Sequence, residues 1–394
     1  MQITYIADNE SRTRLDARLC FATGAIDGLT FLSYLFGIEQ SIYYSGTILL
    51  KIALLFIRRK NFTNAAHASL PFIYVLTFAE IASAIVNEVE LISTVRILVF
   101  CINLFVTLNF VGTNYWRGLV LVSLIDAATY FIFVRSGNIG IVFGRYLFFS
   151  QSHPNLGAEI FFGGAFAALL TKTPRISLLT APIFFVPTFL MQGRAAEIGI
   201  ALAAGILGWQ VLGRWGHHTR VLLIALSSCA MLVVLANLDL SDIINKVLLL
   251  DDVHRGEGSG ASGRGRYWAT AVTLWVENPL FGAGSDYVAR LGLLQPHNFF
   301  LYPLAYYGFL GAVVLIVFMQ PLVTVLLSGA PAIYLLPLLP MLAFNDRFVN
   351  LNVYPAVLFL HVFHQYAKLR SSDNAGTSRA VATPSASVKV RRSS

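Results

Sequence analysis

The sequence predicts an all-α, polytopic membrane protein with about twelve transmembrane helices and one large outward loop. Of its 394 residues, 56% are hydrophobic and 12% are charged, whereas soluble domains carry roughly 25% charged residues. The mean hydropathy is +0.68. Apolar runs of about 17–22 residues recur along the chain, and each could cross a hydrocarbon core of roughly 30 Å. Buried strands of an α/β protein are shorter than these runs, so membrane-spanning helices are favoured.

We place the predicted spans at 19–37, 42–57, 67–87, 95–113, 118–134, 156–170, 176–191, 195–212, 220–236, 298–320, 331–344 and 353–367. The polar first eighteen residues lack the pattern of a cleavable signal peptide. Residues 1–370 are therefore interpreted as one transmembrane domain, interrupted by a loop at about 237–297. Residues 371–394 are rich in Ser, Ala and Thr with scattered basic residues, and we expect a disordered cytoplasmic tail.

The basic residues between spans predict the orientation, because cytoplasmic loops carry an excess of Lys and Arg. Basic groups precede the first span and recur in every second loop. All of them agree if both termini are cytoplasmic. The long loop at 237–297 then faces outward. The basic residues used for this assignment include Arg12, Arg14, Arg18, Arg58, Arg59, Lys60, Arg117, Lys172, Arg175, Arg214, Arg220, Lys368 and Arg370.

The outward side is unusual in carrying nine Arg residues and a single Lys, Lys246. A planar guanidinium binds phosphate oxygens through two parallel hydrogen bonds, whereas Lys offers a hydrated point charge. This choice predicts an anionic ligand such as a lipid diphosphate; the alternative is contact with lipid headgroups and loop salt bridges. The nine residues are Arg96, Arg135, Arg145, Arg194, Arg255, Arg264, Arg266, Arg290 and Arg347.

Arg194 is the clearest of these candidates outside the long loop. It lies where one predicted span ends and the next begins, with almost no linker between them. A charge at the centre of a helix in the bilayer costs roughly 2.5–3.5 kcal/mol on insertion scales, so Arg194 should lie at the interface or face a wet cavity. The adjacent helix N-terminus also favours anions, so side chain and helix end could bind the same group.

The long loop contains a predicted amphipathic helix followed by a glycine-rich turn. Trp268 and Trp275 are seven residues apart, which places them on one face of a helix lying in the membrane interface. Asn278-Pro279 ends this helix, and Gly282 and Gly284 form a tight turn where the backbone could approach a ligand. We interpret the segment as a lid over a cavity; the alternative is an ordinary interfacial loop.

His297 and Asn298 open the next predicted span. The ordinary pKa of His suits removal of a proton from a hydroxyl near neutral pH, although a His at a span entrance is also a common interfacial residue. His217-His218 is rejected as a metal pair, because no carboxylate or Cys stands near it. Cys20, Cys101 and Cys229 fall inside apolar runs and indicate neither disulfides nor a metal site.

Several charged residues fall within predicted spans and need partners there. Lys51 is expected to pair with Glu80 or Asp126 in a structural ion pair. A proton relay for transport is the functional alternative. The remaining carboxylates of this kind are Asp27, Glu159 and Glu197.

The ordered motifs SGRGRYW, NPLFGAG and HNFFLYPLAYYGFLG resemble the O-antigen ligase and O-antigen polymerase superfamily of bacterial inner-membrane proteins. The matching positions are Gly263-Arg264, Trp268, Asn278-Pro279, Gly282, Gly284, His297-Asn298, Gly308 and Gly311. Asn155 resembles the family's outward Pro-Asn segment. Gly193-Arg194 is similar to its Ser-Arg turn, with Gly where Ser is usual.

The resemblance implies inverting glycosyl transfer on the periplasmic face, from an undecaprenyl-diphosphate-linked glycan and without a metal, nucleotide sugar or other cofactor. Arg194 and Arg264, with Arg266, Arg290 and Arg145, would neutralise the departing diphosphate, and His297 would activate the acceptor hydroxyl. Asn298, Trp268, Gly282 and Gly284 would complete the substrate site. Membrane lipids are further expected partners, and nucleic acid is not one.

Two questions stay open at the sequence level. The acceptor would be lipid A core for a ligase and a second lipid-linked repeat unit for a polymerase, and the compact loop slightly favours a polymerase. The rival class is a transporter or flippase of lipid-linked glycans. That class needs charges in both halves of the membrane and a pseudo-symmetric pair of bundles.

Overall fold

The computed structural model describes residues 2–58, 61–142, 145–149, 154–214, 216, 219, 264–293, 296, 298–344 and 353–381. Most of these residues are helical, and the strands are confined to one short pair, which confirms the all-α class. The helices are α1 (Gln2–Gly28), α2 (Phe31–Leu35), α3 (Gln40–Arg58), α4 (Asn64–Asn87), α5 (Leu91–Leu108), α6 (Thr113–Arg135), α7 (Pro154–Leu170), α8 (Pro174–Leu190), α9 (Arg194–Leu212), α10 (Arg264–Glu277), α11 (Tyr287–Leu291), α12 (Leu301–Tyr307), α13 (Phe309–Leu327), α14 (Leu339–Phe344) and α15 (Val353–Val381). A 3-10 helix (Ala330–Leu338) precedes α14, and strands β1 (Ile141–Val142) and β2 (Arg145–Tyr146) form a hairpin between α6 and α7.

Five helices in the described part of the chain are long and apolar enough to cross a membrane: α4, α5, α6, α9 and α13. Helices α7 and α8 are apolar too, at 17 residues each. A polytopic helical membrane protein is thereby confirmed. The count of twelve spans stays a prediction, and the predicted span at 220–236 lies outside the described residues.

Close glycine contacts hold α1 against α6. A Cβ added at Gly24 would lie 1.9 Å from the Tyr115 carbonyl oxygen, and one at Gly118 would lie 2.0 Å from that of Phe21. Small residues allow such backbone approach between membrane helices, where dispersion contacts replace the hydrophobic effect. A Cβ at Gly28, one turn beyond Gly24, would lie 2.8 Å from the Val122 Cβ, which lies beyond Tyr115 on α6, so α1 and α6 run parallel.

Helices α6, α7 and α8 run alternately up and down. Tyr130 of α6 lies edge-on to Phe161 of α7, with ring centroids 5.6 Å apart. Further along, a Cβ at Gly157 of α7 would lie 2.6 Å from the Met191 sulfur, just past the end of α8. Helices α4 and α5 are likewise antiparallel, because Thr63 bonds to Asn109 at one end and Glu80 to Thr94 near the other.

These directions define two ends of the bundle. One end holds the α4–α5 turn, the β hairpin and the α8–α9 turn, and we call it the site end. The other, which we call the base end, holds Arg58, Asn64 and Asn109. Helix α15 reaches the base end, where Asn64 Nδ2 donates to Ser371 Oγ at 3.1 Å.

Lys51 is fully buried and pairs with Asp27 of α1. Its Nζ also donates to Asn103 Oδ1 at 2.6 Å and to Thr107 Oγ1 at 3.1 Å, both on α5. The prediction that Glu80 or Asp126 pairs with Lys51 is therefore wrong. The physical reason is that α3 packs against both α1 and α5, whose polar groups surround the ammonium.

Two predicted spans are not continuous helices. The span at 19–37 breaks after Gly28, and α2 follows as a separate helix. The span at 298–320 is divided by Gly308, which has φ +59°. A Cβ added at Gly311 would lie 1.9 Å from the Pro303 carbonyl oxygen, so α13 folds back along α12.

The residues before α12 lie deep in the bundle. The Phe299 ring lies 5.6 Å from that of Phe318 in the middle of α13, and its N–H donates to the Leu342 carbonyl at 3.2 Å. By contrast, Tyr306 near the end of α12 bonds to Gly284 at the site end. The segment 298–307 is therefore re-entrant, and the prediction of one continuous span is wrong because apolar content alone does not show the reversal.

The last helix continues to Val381, beyond the predicted start of the disordered tail at residue 371. Ser371 Oγ donates to the Ala367 carbonyl at 2.9 Å and accepts from Asn64. These two bonds hold Ser371 in the helix, so α15 does not end at the predicted boundary. Residues 382–394 lie outside the described residues.

Candidate functional site

Arg145 on β2 is buried, with 7% of its surface exposed. Its Nε donates to the Met191 carbonyl at 2.8 Å, and its Nη2 donates to Asn155 Oδ1 at 2.6 Å and to the Gln192 carbonyl at 3.4 Å. A cation stabilises the carbonyl end of a helix, which carries a partial negative charge. Arg145 therefore joins the hairpin, α7 and the end of α8 in one polar cluster.

Gly193 shapes the turn in front of Arg194. A Cβ at this position would lie 2.3 Å from the Ala158 Cβ on α7, which is closer than real side chains approach. The Ser that is usual in the resembling family therefore does not fit here without a shift. Gly193 makes no side-chain cap to α9.

Arg194 is the first residue of α9 and is half-buried. It follows the turn that Arg145 closes, so the site end holds two guanidinium groups near one helix start. The structure thus confirms that Arg194 lies at a helix N-terminus. Backbone N–H groups and a guanidinium at such a terminus can bind an anion together.

Residues 278–292, which we call the docked loop, pack against α12 and α4. Ala283 N donates to the Ala305 carbonyl at 2.8 Å, and Gly284 N donates to that of Tyr306 at 3.1 Å. Gly282 has φ +66°, and a Cβ there would lie 2.4 Å from the Tyr306 carbonyl. The close approach predicted for Gly282 and Gly284 is made to the protein's own backbone.

Polar residues on α4 hold this loop in place. Ser83 Oγ donates to the carbonyls of Phe281 at 2.8 Å and Tyr306 at 3.0 Å. Glu80 Oε1 accepts from Ser285 Oγ at 2.8 Å. Sequence analysis missed this role of α4, although Glu80, Ser83 and Asn87 have the i, i+3, i+7 spacing of one helix face.

Arg290 fastens the far side of the docked loop. Its Nη1 donates to the Asn87 carbonyl at 2.9 Å, and its Nη2 donates to that of Ala283. Its Nε lies 3.5 Å from Asp286 Oδ1. Asp286 Oδ2 in turn accepts from Glu90 N at 3.2 Å. Arg290 thus braces the loop against the α4–α5 turn, a role that the sequence did not predict.

Helix α10 packs on α12. Ala271 and Leu274 are buried, and Trp268 and Trp275 are half-buried. Val276 exposes 69% of its surface. The placement of the two Trp residues at the membrane interface stays a prediction.

The structure describes some of the remaining predicted site residues in full and others only in part or not at all. Arg266 is exposed on the first turn of α10. Arg264 begins that helix, but its side chain, and the whole of His297, lie outside the described residues. Asn298 Oδ1 accepts from Phe300 N at 2.9 Å and from Leu301 N at 3.1 Å, so it caps α12.

The site end therefore carries two polar groups on different helices. One joins Arg145, Asn155 and the α8–α9 turn before Arg194; the other joins Arg290 and the docked loop to α4. In the described ranges, no group of three or more His, Cys, Asp or Glu residues is arranged to hold a metal ion. His217 and His218 lie outside those ranges.

These features define a polytopic helical membrane protein whose site end combines guanidinium groups, a helix start and a re-entrant segment. Residues 179–316 match the family model described as O-antigen ligase. This match confirms the resemblance of the motifs to the O-antigen ligase and O-antigen polymerase superfamily. No curated protein matches the chain.

The family indicates glycan transfer of the ligase or polymerase type, with lipid-linked glycan donors and glycan acceptors in general. The matched stretch contains Arg194, Arg264, Arg266, Arg290 and the pair His297-Asn298. Arg145 and Asn155 precede it, so their part in the site end rests on the contacts described above.

Proposed function

We propose that the protein transfers a glycan from an undecaprenyl-diphosphate-linked donor to a sugar hydroxyl at the periplasmic face of the bacterial inner membrane. Both termini are then cytoplasmic, and the site end faces the periplasm. The observation that carries this proposal is the O-antigen ligase match, which covers Arg194, Arg264 and His297 together. The reaction needs the anomeric carbon to leave the diphosphate and bond to the acceptor oxygen.

The charge on the diphosphate grows as its bond to the sugar breaks, so fixed positive groups at the leaving oxygen lower the barrier. Arg194 and the start of α9 supply one such group, and Arg264 and Arg266 supply others from α10. Arg145 and Arg290 each bond to backbone carbonyls. We assign these two residues to positioning the α8–α9 turn and the docked loop.

His297 takes the proton of the acceptor hydroxyl in this proposal. It directly precedes Asn298, which caps the re-entrant helix α12. Non-helical backbone at membrane depth is tolerated where protein or a water-filled cavity surrounds it. A hydroxyl acceptor and the departing diphosphate both need such a polar cavity.

The ligase and the polymerase use the same donor chemistry and differ in the acceptor. A deletion strain separates them: unlinked long polymer indicates a ligase with lipid A core as acceptor, and a single repeat unit indicates a polymerase. We favour a polymerase of a surface or exopolysaccharide, because the sequence predicts a compact outward loop.

The direct test uses purified protein in nanodiscs with a polyprenyl-diphosphate-linked glycan and an acceptor glycan. Arg194→Ala and Arg264→Ala should each lower the rate by about 100-fold or more, as for loss of one transition-state donor. His297→Ala should lower it by about 100-fold to 10,000-fold. Arg117→Ala is the matched control, because Arg117 is exposed at the base end.

Normal turnover in all three variants would refute the assignment. The transporter or flippase alternative is tested in vesicles with donor on one side. A transferase consumes the donor on the side where its site faces, whereas a transporter moves intact donor to the other side.

A further inference from the structure

A cavity of about 260 Å³ opens at the base end, far from the proposed site. It lies between the start of α4, the end of α5 and the middle of α15. Thr63 at its edge caps α4, because its Oγ accepts from Ala66 N at 3.3 Å. The residues that line it include Thr63, Asn64, Leu108, His364, Lys368 and Ser371.

The charge around this cavity is positive. Lys368 lines it, and Lys172 at the α7–α8 turn lies close enough to lower the pKa of Lys368. No Asp or Glu is among the described residues that line it. Asp16 at the same end pairs with Arg58 at 2.6 Å.

The surroundings of Lys368 disfavour its own charge. Lys368 lies beyond the predicted span, and partial burial lowers its pKa from the ordinary value, with Lys172 lowering it further. Two like charges held near each other are stabilised when an anion binds between them. Hydroxyl and amide groups of Thr63, Asn64 and Ser371 add hydrogen-bonding capacity at the same opening.

We propose that this base-end cavity binds a phosphate group, as carried by the headgroup of an anionic membrane lipid. Basic pockets between membrane helices on the cytoplasmic side are suited to such headgroups. Leu108 and Val111 line the cavity as well, and Phe62 nearby exposes 48% of its surface. These apolar groups can contact acyl chains while the ammonium groups contact the phosphate.

The test measures binding of phosphatidylglycerol to the purified full chain in phosphatidylcholine nanodiscs, by native mass spectrometry or by the rise in unfolding temperature. Lys368→Gln should weaken this binding by about fivefold, the share expected of one basic residue near an anionic headgroup. Lys172→Gln combined with Lys368→Gln should weaken it further. Arg370→Gln is the matched control, because Arg370 stacks on Tyr366 at 5.7 Å and is not among the lining residues.

Ser371→Glu provides a second variant that places a carboxylate at the cavity and removes no basic group. It should also weaken binding of phosphatidylglycerol. A parallel titration with glycerol 3-phosphate separates the sources: protection by the soluble ester indicates a free phosphate ligand, and protection by the lipid alone indicates a headgroup. Unchanged binding in both Lys368→Gln and Ser371→Glu, or an equal loss in Arg370→Gln, would overturn the proposal.

Discussion

The Nε of Arg145 donates to the Met191 carbonyl at 2.8 Å, so a guanidinium on a two-stranded hairpin closes the helix that precedes Arg194. The resemblance predicted that both Arg145 and Arg194 bind the same diphosphate. The contact separates their roles, because Arg145 supports the turn from which α9 and Arg194 begin.

Replacing Arg145 with Ala should destabilise the protein. The change removes three hydrogen bonds, and leaving buried polar groups unpaired costs about 1–3 kcal/mol. Thermal unfolding in detergent measures the effect, with exposed Arg135→Ala as control. Loss of transfer at unchanged unfolding temperature would instead place Arg145 in contact with substrate.

Substitution of Gly193 by Ala should lower stability and transfer together. The new Cβ would lie 2.3 Å from that of Ala158, and overpacking costs about 1–3 kcal/mol. Gly205→Ala on α9, the helix that follows Gly193, is the matched control, since a Cβ there meets nothing within 4 Å. Ala158→Gly should rescue Gly193→Ala in a double-mutant cycle; additive losses would contradict the clash.

Lys51→Met should be strongly destabilising, because it leaves Asp27 without its ammonium partner. Breaking one side of a buried ion pair costs about 3–5 kcal/mol. The double variant with Asp27→Asn should recover part of the loss, since the amide that replaces the carboxylate could still bond to the Tyr115 hydroxyl. The free energy of unfolding is measured for the single and the double variant. Equal values for the two would argue against an ion pair between Lys51 and Asp27.

Gly308→Ala should disturb the reversal between α12 and α13. Gly308 has φ +59°, and its Cβ would lie 2.6 Å from the Pro279 carbonyl oxygen. Gly292→Ala measures the cost of the left-handed helical conformation alone, because Gly292 has φ +64° and ψ 21° with open space around it. That conformation costs about 1–2 kcal/mol. Gly308→Ala should cost more, measured as unfolding temperature and protease sensitivity, because Gly308 has ψ −130° as well as the close Pro279 oxygen. Equal losses would mean that neither the ψ of Gly308 nor its contact with Pro279 contributes.

The sequence predicted the helical membrane class and the positions of most helices, because hydropathy directly reports transfer into lipid. It missed the re-entrant segment, since neither α12 nor α13 contains a charged residue and a single glycine separates them. It also misassigned the partner of Lys51. Asp27 was among the charged residues within predicted spans, but which of α1, α4 and α6 lies beside α3 depends on tertiary packing.

The candidate site, like the fold, was predicted from the sequence only in part. Gly193-Arg194 was placed correctly at a helix start from the absence of a linker. Arg145 and Arg290 donate to backbone carbonyls. Every residue has a carbonyl, so no sequence pattern predicts these contacts. The spacing of Glu80, Ser83 and Asn87 was visible, but its partner loop lies about 200 residues away along the chain.

The docked loop lies inside the family-matched stretch, yet its anchors Ser83, Asn87 and Glu90 lie in the first quarter of the chain. A chimera that transplants residues 179–316 into a related host would therefore separate the docked loop from the three residues that anchor it. Such an exchange would succeed where the host supplies an equivalent polar helix face. Asn87 and Glu90 contribute backbone atoms, whereas Ser83 and Glu80 contribute side chains, so coupled evolution with the docked loop is expected at Ser83 and Glu80.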